Sequence, residues 1–102
     1  MHNEIEQLRT KIDVVDHKIT TLLAERFALT HKVGLYKAKH HLSAFSKQRE
    51  TEIFKAKKSL AKKLGLNEAL IEKIFKSIIA TVRREHRAIA LAARKKDKNE
   101  KR

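Results

Sequence analysis

The sequence predicts an all-α protein whose protomer has three helices, the first of them long. Three observations carry this expectation. Over the first forty positions, apolar residues recur at alternating steps of three and four. Ala, Leu, Ile, Lys, Glu and Arg dominate the composition, which favours helix. There is no proline and there are only two glycines, Gly34 and Gly65, too little turn chemistry for a many-stranded sheet. At 102 residues the chain has room for one domain with a thin core, a size at which oligomerisation commonly adds stability.

The first helix is expected from about Asn3 to His40. Its stripe runs Ile5, Leu8, Ile12, Val15, Ile19, Leu22, Leu29, Val33 and Tyr36, a heptad pattern with one position unfilled between Leu22 and Leu29. Gly34 falls inside it and should weaken the last turns slightly. The period is lost from His41 to Phe45, which reads as a loop. Ser46 is the expected N-cap of a second helix, whose face carries Arg49, Ile53, Ala56, Leu60 and Leu64, with Gly65 just past its end. Asn67 caps a third helix with an inward face of Ile71, Ile74, Phe75, Ile78, Val82, His86 and Ile89. The domain is expected over residues 1–93. Residues 94–102, RKKDKNEKR, hold six basic, two acidic and no apolar residues and are expected to be a disordered basic tail. The long helix has more apolar face than two short helices can cover, so a second chain should cover the rest.

The absence of cysteine excludes a disulfide framework, a zinc–thiolate site and a cysteine nucleophile. His2, His17, His31, His40 and His41 form no metal-ligand constellation, and no cofactor is expected. The N-terminal segment Met1–Arg9 has acidic residues and no apolar run, and nothing approaches the ~20 apolar residues of a membrane span. A cytoplasmic protein is therefore expected. The formal net charge of +13 points to anionic partners without choosing among nucleic acid, lipid and a small polycarboxylate.

Several basic residues stand where an apolar one is expected. Arg26 fills the gap in the first stripe. An arginine there either snorkels to water and pairs with a glutamate, or meets an anionic ligand. Arg49 opens the inward face of the second helix. Lys37 lies eleven residues, about three turns, beyond Arg26 on roughly the same side. Arg9 shares the heptad column of Lys37 but sits 28 residues earlier, about 42 Å along a straight helix, too far for one small ligand. Two antiparallel copies crossing near Leu23 would bring Arg9 of one chain near Lys37 of the other, making a composite site repeated twice. His86 points inward from the third helix, as a hydrogen-bonded structural residue or as a donor to a ligand.

The stretch LRTKIDVVDHKITTLLAERFALTHKVGLYK, Leu8 to Lys37, resembles the first helix of the AroQ-type chorismate mutases. The matching elements are Arg9, Ile12-Asp13, Asp16, Leu22-Leu23 with Arg26, and Val33 with Lys37. After the loop, Arg49-Glu50 matches the Arg-Glu that begins the family's second helix. The resemblance covers about residues 4 to 90. It implies an intertwined helical homodimer with two sites and, as activity, the rearrangement of chorismate to prephenate in aromatic amino acid synthesis, with no metal or cofactor. It further implies that Arg26, Lys37, Arg49 and Glu50 belong to one chain's site and that Arg9 reaches in from the other. The cations would hold two carboxylates, Lys37 would donate toward the ether oxygen, and Glu50 would accept from the ring hydroxyl.

Three positions depart from the family pattern. Ser46 stands for a frequent loop aspartate, Val82 for a serine, and His86 for a glutamine. Val82 cannot donate a hydrogen bond. His86 can donate to the ether oxygen as a neutral tautomer or as imidazolium, and the two predict different pH behaviour. These departures keep open an isochorismate pyruvate-lyase or an aminodeoxychorismate mutase on the same scaffold. A non-catalytic, nucleic-acid-binding helical protein is favoured by Lys55–Lys63, Arg83–Arg87 and the tail, and disfavoured by sparse aromatics and the lack of a recognition motif. A membrane is not an expected partner, and nucleic acid is expected less than a small dicarboxylate.

Overall fold

In the computed structural model, which describes residues 3–100, the protein is three helices: α1 Glu4–Lys39, α2 Lys47–Leu64 and α3 Glu68–Glu100. The caps expected at Ser46, Gly65 and Asn67 are present, and α1 is capped as well. Asn3 Oδ1 accepts from the Ile5 N–H at 2.9 Å and starts α1. Ser46 Oγ accepts from the Arg49 N–H at 3.2 Å and starts α2, and Asn67 Oδ1 accepts from the Leu70 N–H at 3.1 Å and starts α3. Gly65 ends α2 at φ 71°, a left-handed conformation that a side chain would strain, and lets the Leu66 N–H reach the Ala61 carbonyl at 2.8 Å. At the end of α1 a histidine does the same job: His41 has φ 55°, and the Leu42 N–H closes on the Lys37 carbonyl at 2.8 Å.

The chain divides into two compact units, with the boundary between Thr30 and His31 inside α1. The first unit is the N-terminal part of α1. Its apolar stripe is exposed: Ile5, Leu8, Ile12, Val15, Ile19 and Leu22 each keep more than half of their surface in solvent. The second unit is built on α2 packed along α3. Ile53 and Ala61 of α2 are buried, as are Ile78 and Ile79 of α3. Lys58 pairs with Glu72 at 3.3 Å, and the Lys57 ammonium lies 5.9 Å from the centre of the Phe75 ring. None of the described helices is long and apolar enough to cross a membrane.

Two expectations are corrected. The packed face of α2 is the row of Glu50, Ile53, Phe54, Lys57 and Ala61, whereas Ala56, Leu60 and Leu64 are exposed. The lysine stems cover apolar surface while their ammonium groups reach water or a ring, so a lysine can hold a packed position that a leucine was expected to fill. The segment from Arg94 to Glu100, expected to be disordered, continues α3. Arg and Lys are strong helix formers, and extending an existing helix avoids the cost of nucleating one. The last two tail positions, 101 and 102, lie outside the described residues.

Candidate functional site

The candidate residues divide between the two units. Arg9 and Arg26 belong to the first. Arg9 is exposed, and Arg26 is half-buried in a stretch whose stripe neighbours Leu22 and Leu29 are both more than 60% exposed. The second unit carries Lys37, Ser46, Arg49, Glu50, Val82 and His86. Lys37, Ser46, Glu50 and Val82 are half-buried, Arg49 is exposed, and His86 is 4% exposed. Arg49 does not face inward as expected. The packed face of α2 begins at its neighbour Glu50, and one residue is about 100° of rotation on a helix.

Within the second unit, the last turns of α1 meet the middle of α3. His31 Nδ1 and Glu85 Oε1 lie 2.8 Å apart. About one turn further along α1, Gly34 faces His86, the next residue of α3 after Glu85. A Cβ at Gly34 would fall 2.6 Å from His86 Cδ2, 3.0 Å from its Nε2 and 3.0 Å from Ile89 Cδ1. The glycine is thus the space that admits the imidazole, a role beyond the weakened helix expected of it. Lys37 follows Gly34 by three residues and Val82 precedes His86 by four, so each shares a helix face with one member of this contact. Overpacking by alanine at Gly34 costs about 1–3 kcal/mol against the ~1 kcal/mol that alanine adds to a helix interior, so the protein should be destabilised by up to about 2 kcal/mol. Urea denaturation checks this, and a His86→Ala change in the same chain should relieve the clash; an unchanged or higher midpoint for Gly34→Ala alone would contradict it.

The first turn of α2 is tied to α3 by a pair that the sequence did not reveal. Arg83 Nε donates to Glu50 Oε2 at 2.7 Å, and its Nη2 donates to Oε1, so both carboxylate oxygens are engaged. This hydrogen-bonded carboxylate raises the Arg83 pKa above the ordinary arginine value. The Arg83 guanidinium also lies over the Phe45 ring, 4.4 Å from its centre. In the sequence Arg83 is one cation in a basic run, and no spacing distinguishes it from Arg84 or Arg87. Ser46 is engaged as a helix cap, where its oxygen accepts and its hydroxyl hydrogen remains available to donate.

A cavity of about 660 Å³ lies between the 41–44 loop and α3, lined in part by His41, Leu42, Arg87, Leu91 and Arg94. It includes none of the candidate residues.

The second unit thus holds a buried imidazole beside a glycine and a carboxylate clamped by an arginine, on an all-helical scaffold. The family match makes the class specific: residues 8–87 match the family model of chorismate mutase type II, and the chain belongs to that family. It is 32% identical over 79 residues to a chorismate mutase of Methanocaldococcus jannaschii, an alignment covering 78% of this chain and 80% of that protein. It is 37% identical over 81 residues to a bifunctional chorismate mutase/prephenate dehydratase of Aquifex aeolicus, covering 76% of this chain and 22% of the relative. A T-protein of Haemophilus influenzae is 32% identical over 72 residues, covering 71% of this chain. The chain spans about a fifth of the length of the latter two relatives, 22% and 19%.

Proposed function

We propose that this chain is a chorismate mutase that works as a homodimer and serves aromatic amino acid synthesis. The observation that carries the reading is the family match over residues 8–87, an interval containing every candidate residue from Arg9 to His86. The names of the Methanocaldococcus and Aquifex relatives support the same activity. The exposed stripe of α1, Ile5 to Leu22, supports the homodimer, because so long an apolar seam on a small chain is the kind of surface a second copy covers.

The reaction is a unimolecular rearrangement in which the ether C–O bond breaks as a C–C bond forms. Chemistry of this kind asks the protein for restraint and charge placement. Arg26 and Arg49, with Arg9 of the partner subunit, take the two carboxylates and hold the substrate in its compact reactive conformer. Arginine suits that task because its fork binds a carboxylate through two hydrogen bonds. Lys37 and His86 donate to the ether oxygen, where negative charge grows in the transition state. Glu50 accepts from the ring hydroxyl, and the Ser46 hydroxyl, whose oxygen caps α2, donates to the substrate. Val82 contributes shape alone.

Val82 and His86 also favour a second reading, an isochorismate pyruvate-lyase or an aminodeoxychorismate mutase. Chorismate loss followed spectrophotometrically, with prephenate identified as product and isochorismate assayed in parallel, separates the two. Turnover of isochorismate alone would replace the first reading with the second. On the first reading, His86→Ala should lower kcat by about a hundredfold while KM changes far less, because the donor acts mainly in the transition state. An unchanged kcat would remove His86 from the mechanism.

A further inference from the structure

Arg83 is adjacent to Val82 and three residues before His86 on α3, and it joins three segments of the second unit. Phe45 of the loop lies under its guanidinium, Glu50 of α2 takes both of its forked donors, and its backbone belongs to α3. The Glu50 side chain keeps 16% of its exposure and that of Arg83 keeps 39%. The pair therefore sits in the boundary between packed protein and solvent, where an uncompensated carboxylate is unfavourable. The fork has a second consequence. Two donors on two oxygens set the plane of the carboxylate, whereas a single-point ammonium leaves that terminal torsion broad. A carboxylate offers about four lone-pair positions, so two remain able to accept from another group.

We propose that Arg83 is a positioning residue for the mutase reaction: braced on the Phe45 ring, its guanidinium fixes the plane of the Glu50 carboxylate so that the remaining lone pairs meet the ring hydroxyl of the substrate. The inference rests on the reading of Glu50 as the hydroxyl acceptor and names what orients it. Val82 brings no polar atom to the substrate, so this hydroxyl contact carries more of the ring's orientation. A site built to receive a hydroxyl discriminates against an analogue without one, and Arg83 is then a determinant of that discrimination.

The test compares the unaltered protein, Arg83→Met and Arg83→Lys, each with chorismate and with an analogue whose ring hydroxyl is replaced by hydrogen. Arg83→Met should lower kcat/KM for chorismate by about 10- to 100-fold, the scale of a lost charge-assisted hydrogen bond, and for the deoxy analogue by less than about threefold. Arg83→Lys should restore most of the thermal stability and little of the chorismate activity, since an ammonium cannot fork. Equal losses on both substrates would mean that Arg83 serves folding alone and would overturn the proposal, as would an unchanged kcat/KM for chorismate in both variants. Should Arg83→Met not fold, the ratio of the two substrates in Arg83→Lys decides by the same criterion. If the unaltered protein does not turn over chorismate, the reading of the site fails and the proposal fails with it. Turnover by the unaltered protein with equal losses in the variants sinks the proposal alone.

Discussion

Arg26→Leu is expected to abolish most mutase activity and at the same time to raise the melting temperature. Both effects come from the same position in the heptad stripe. Arg26 occupies the step between Leu22 and Leu29 that every other member of the stripe fills with an apolar residue or Tyr36. It is half-buried while those two neighbours are exposed. Leucine there completes the seam and removes a charge from it, a change worth ~1 kcal/mol, or about 4–8 °C for a domain of this size. On the proposed reading the same change leaves a substrate carboxylate without its forked partner. Removing one member of a desolvated charge pair is worth roughly 2–5 kcal/mol, so kcat/KM should fall between about thirtyfold and several thousandfold. Arg26→Lys should recover only part of the loss, because an ammonium binds a carboxylate through one point. Differential scanning calorimetry and steady-state kinetics on the same preparations check both halves. A lower melting temperature with activity retained would show that Arg26 is a structural cation and has no hold on the substrate.

The second large effect is expected at Ile19, in the middle of the stripe and 52% exposed in the single chain. Ile19→Asp puts a carboxylate into the seam that the second copy is proposed to cover, and a buried unpaired charge there is worth several kcal/mol against association. Sedimentation velocity should show the unaltered protein as a dimer and the variant as a monomer or an unfolded chain, since small intertwined chains often have no stable folded monomer. On the proposed reading, in which Arg9 acts across the dimer, mutase activity should disappear with it. Lys18→Glu, one residue away and off the apolar stripe, should leave both association and activity nearly unchanged. A monomeric, active, unaltered protein would contradict the homodimer and the shared site together.

The helices were legible because their signals are local. Ser46 and Asn67 cap where their side chains can reach the first free N–H groups, and Gly65 ends α2 because the left-handed turn there excludes a Cβ. The face of α2 was less legible. Leu60 and Leu64 are more apolar than Lys57, yet Lys57 packs and they do not, since long cationic side chains bury their stems. Composition alone does not reveal the helical course of residues 94–100, because a helix already formed upstream carries good helix formers onward without a new nucleus.

By itself, the sequence determined the three helices, the caps at Ser46, Gly65 and Asn67, the gap in the stripe at Arg26 and the spacing of Arg9, Arg26, Lys37 and Arg49-Glu50 that marks the family. Each of these is a relation between residues close along one helix or repeated at its period. What only the tertiary structure decided is which groups meet across helices: that Gly34 makes room for His86, that His31 reaches Glu85, and that Arg83 among several equivalent arginines clamps Glu50 against Phe45. Those contacts join positions 33 to 54 residues apart, and their partners follow from how α1's last turns, α2 and α3 pack, for which no local period exists.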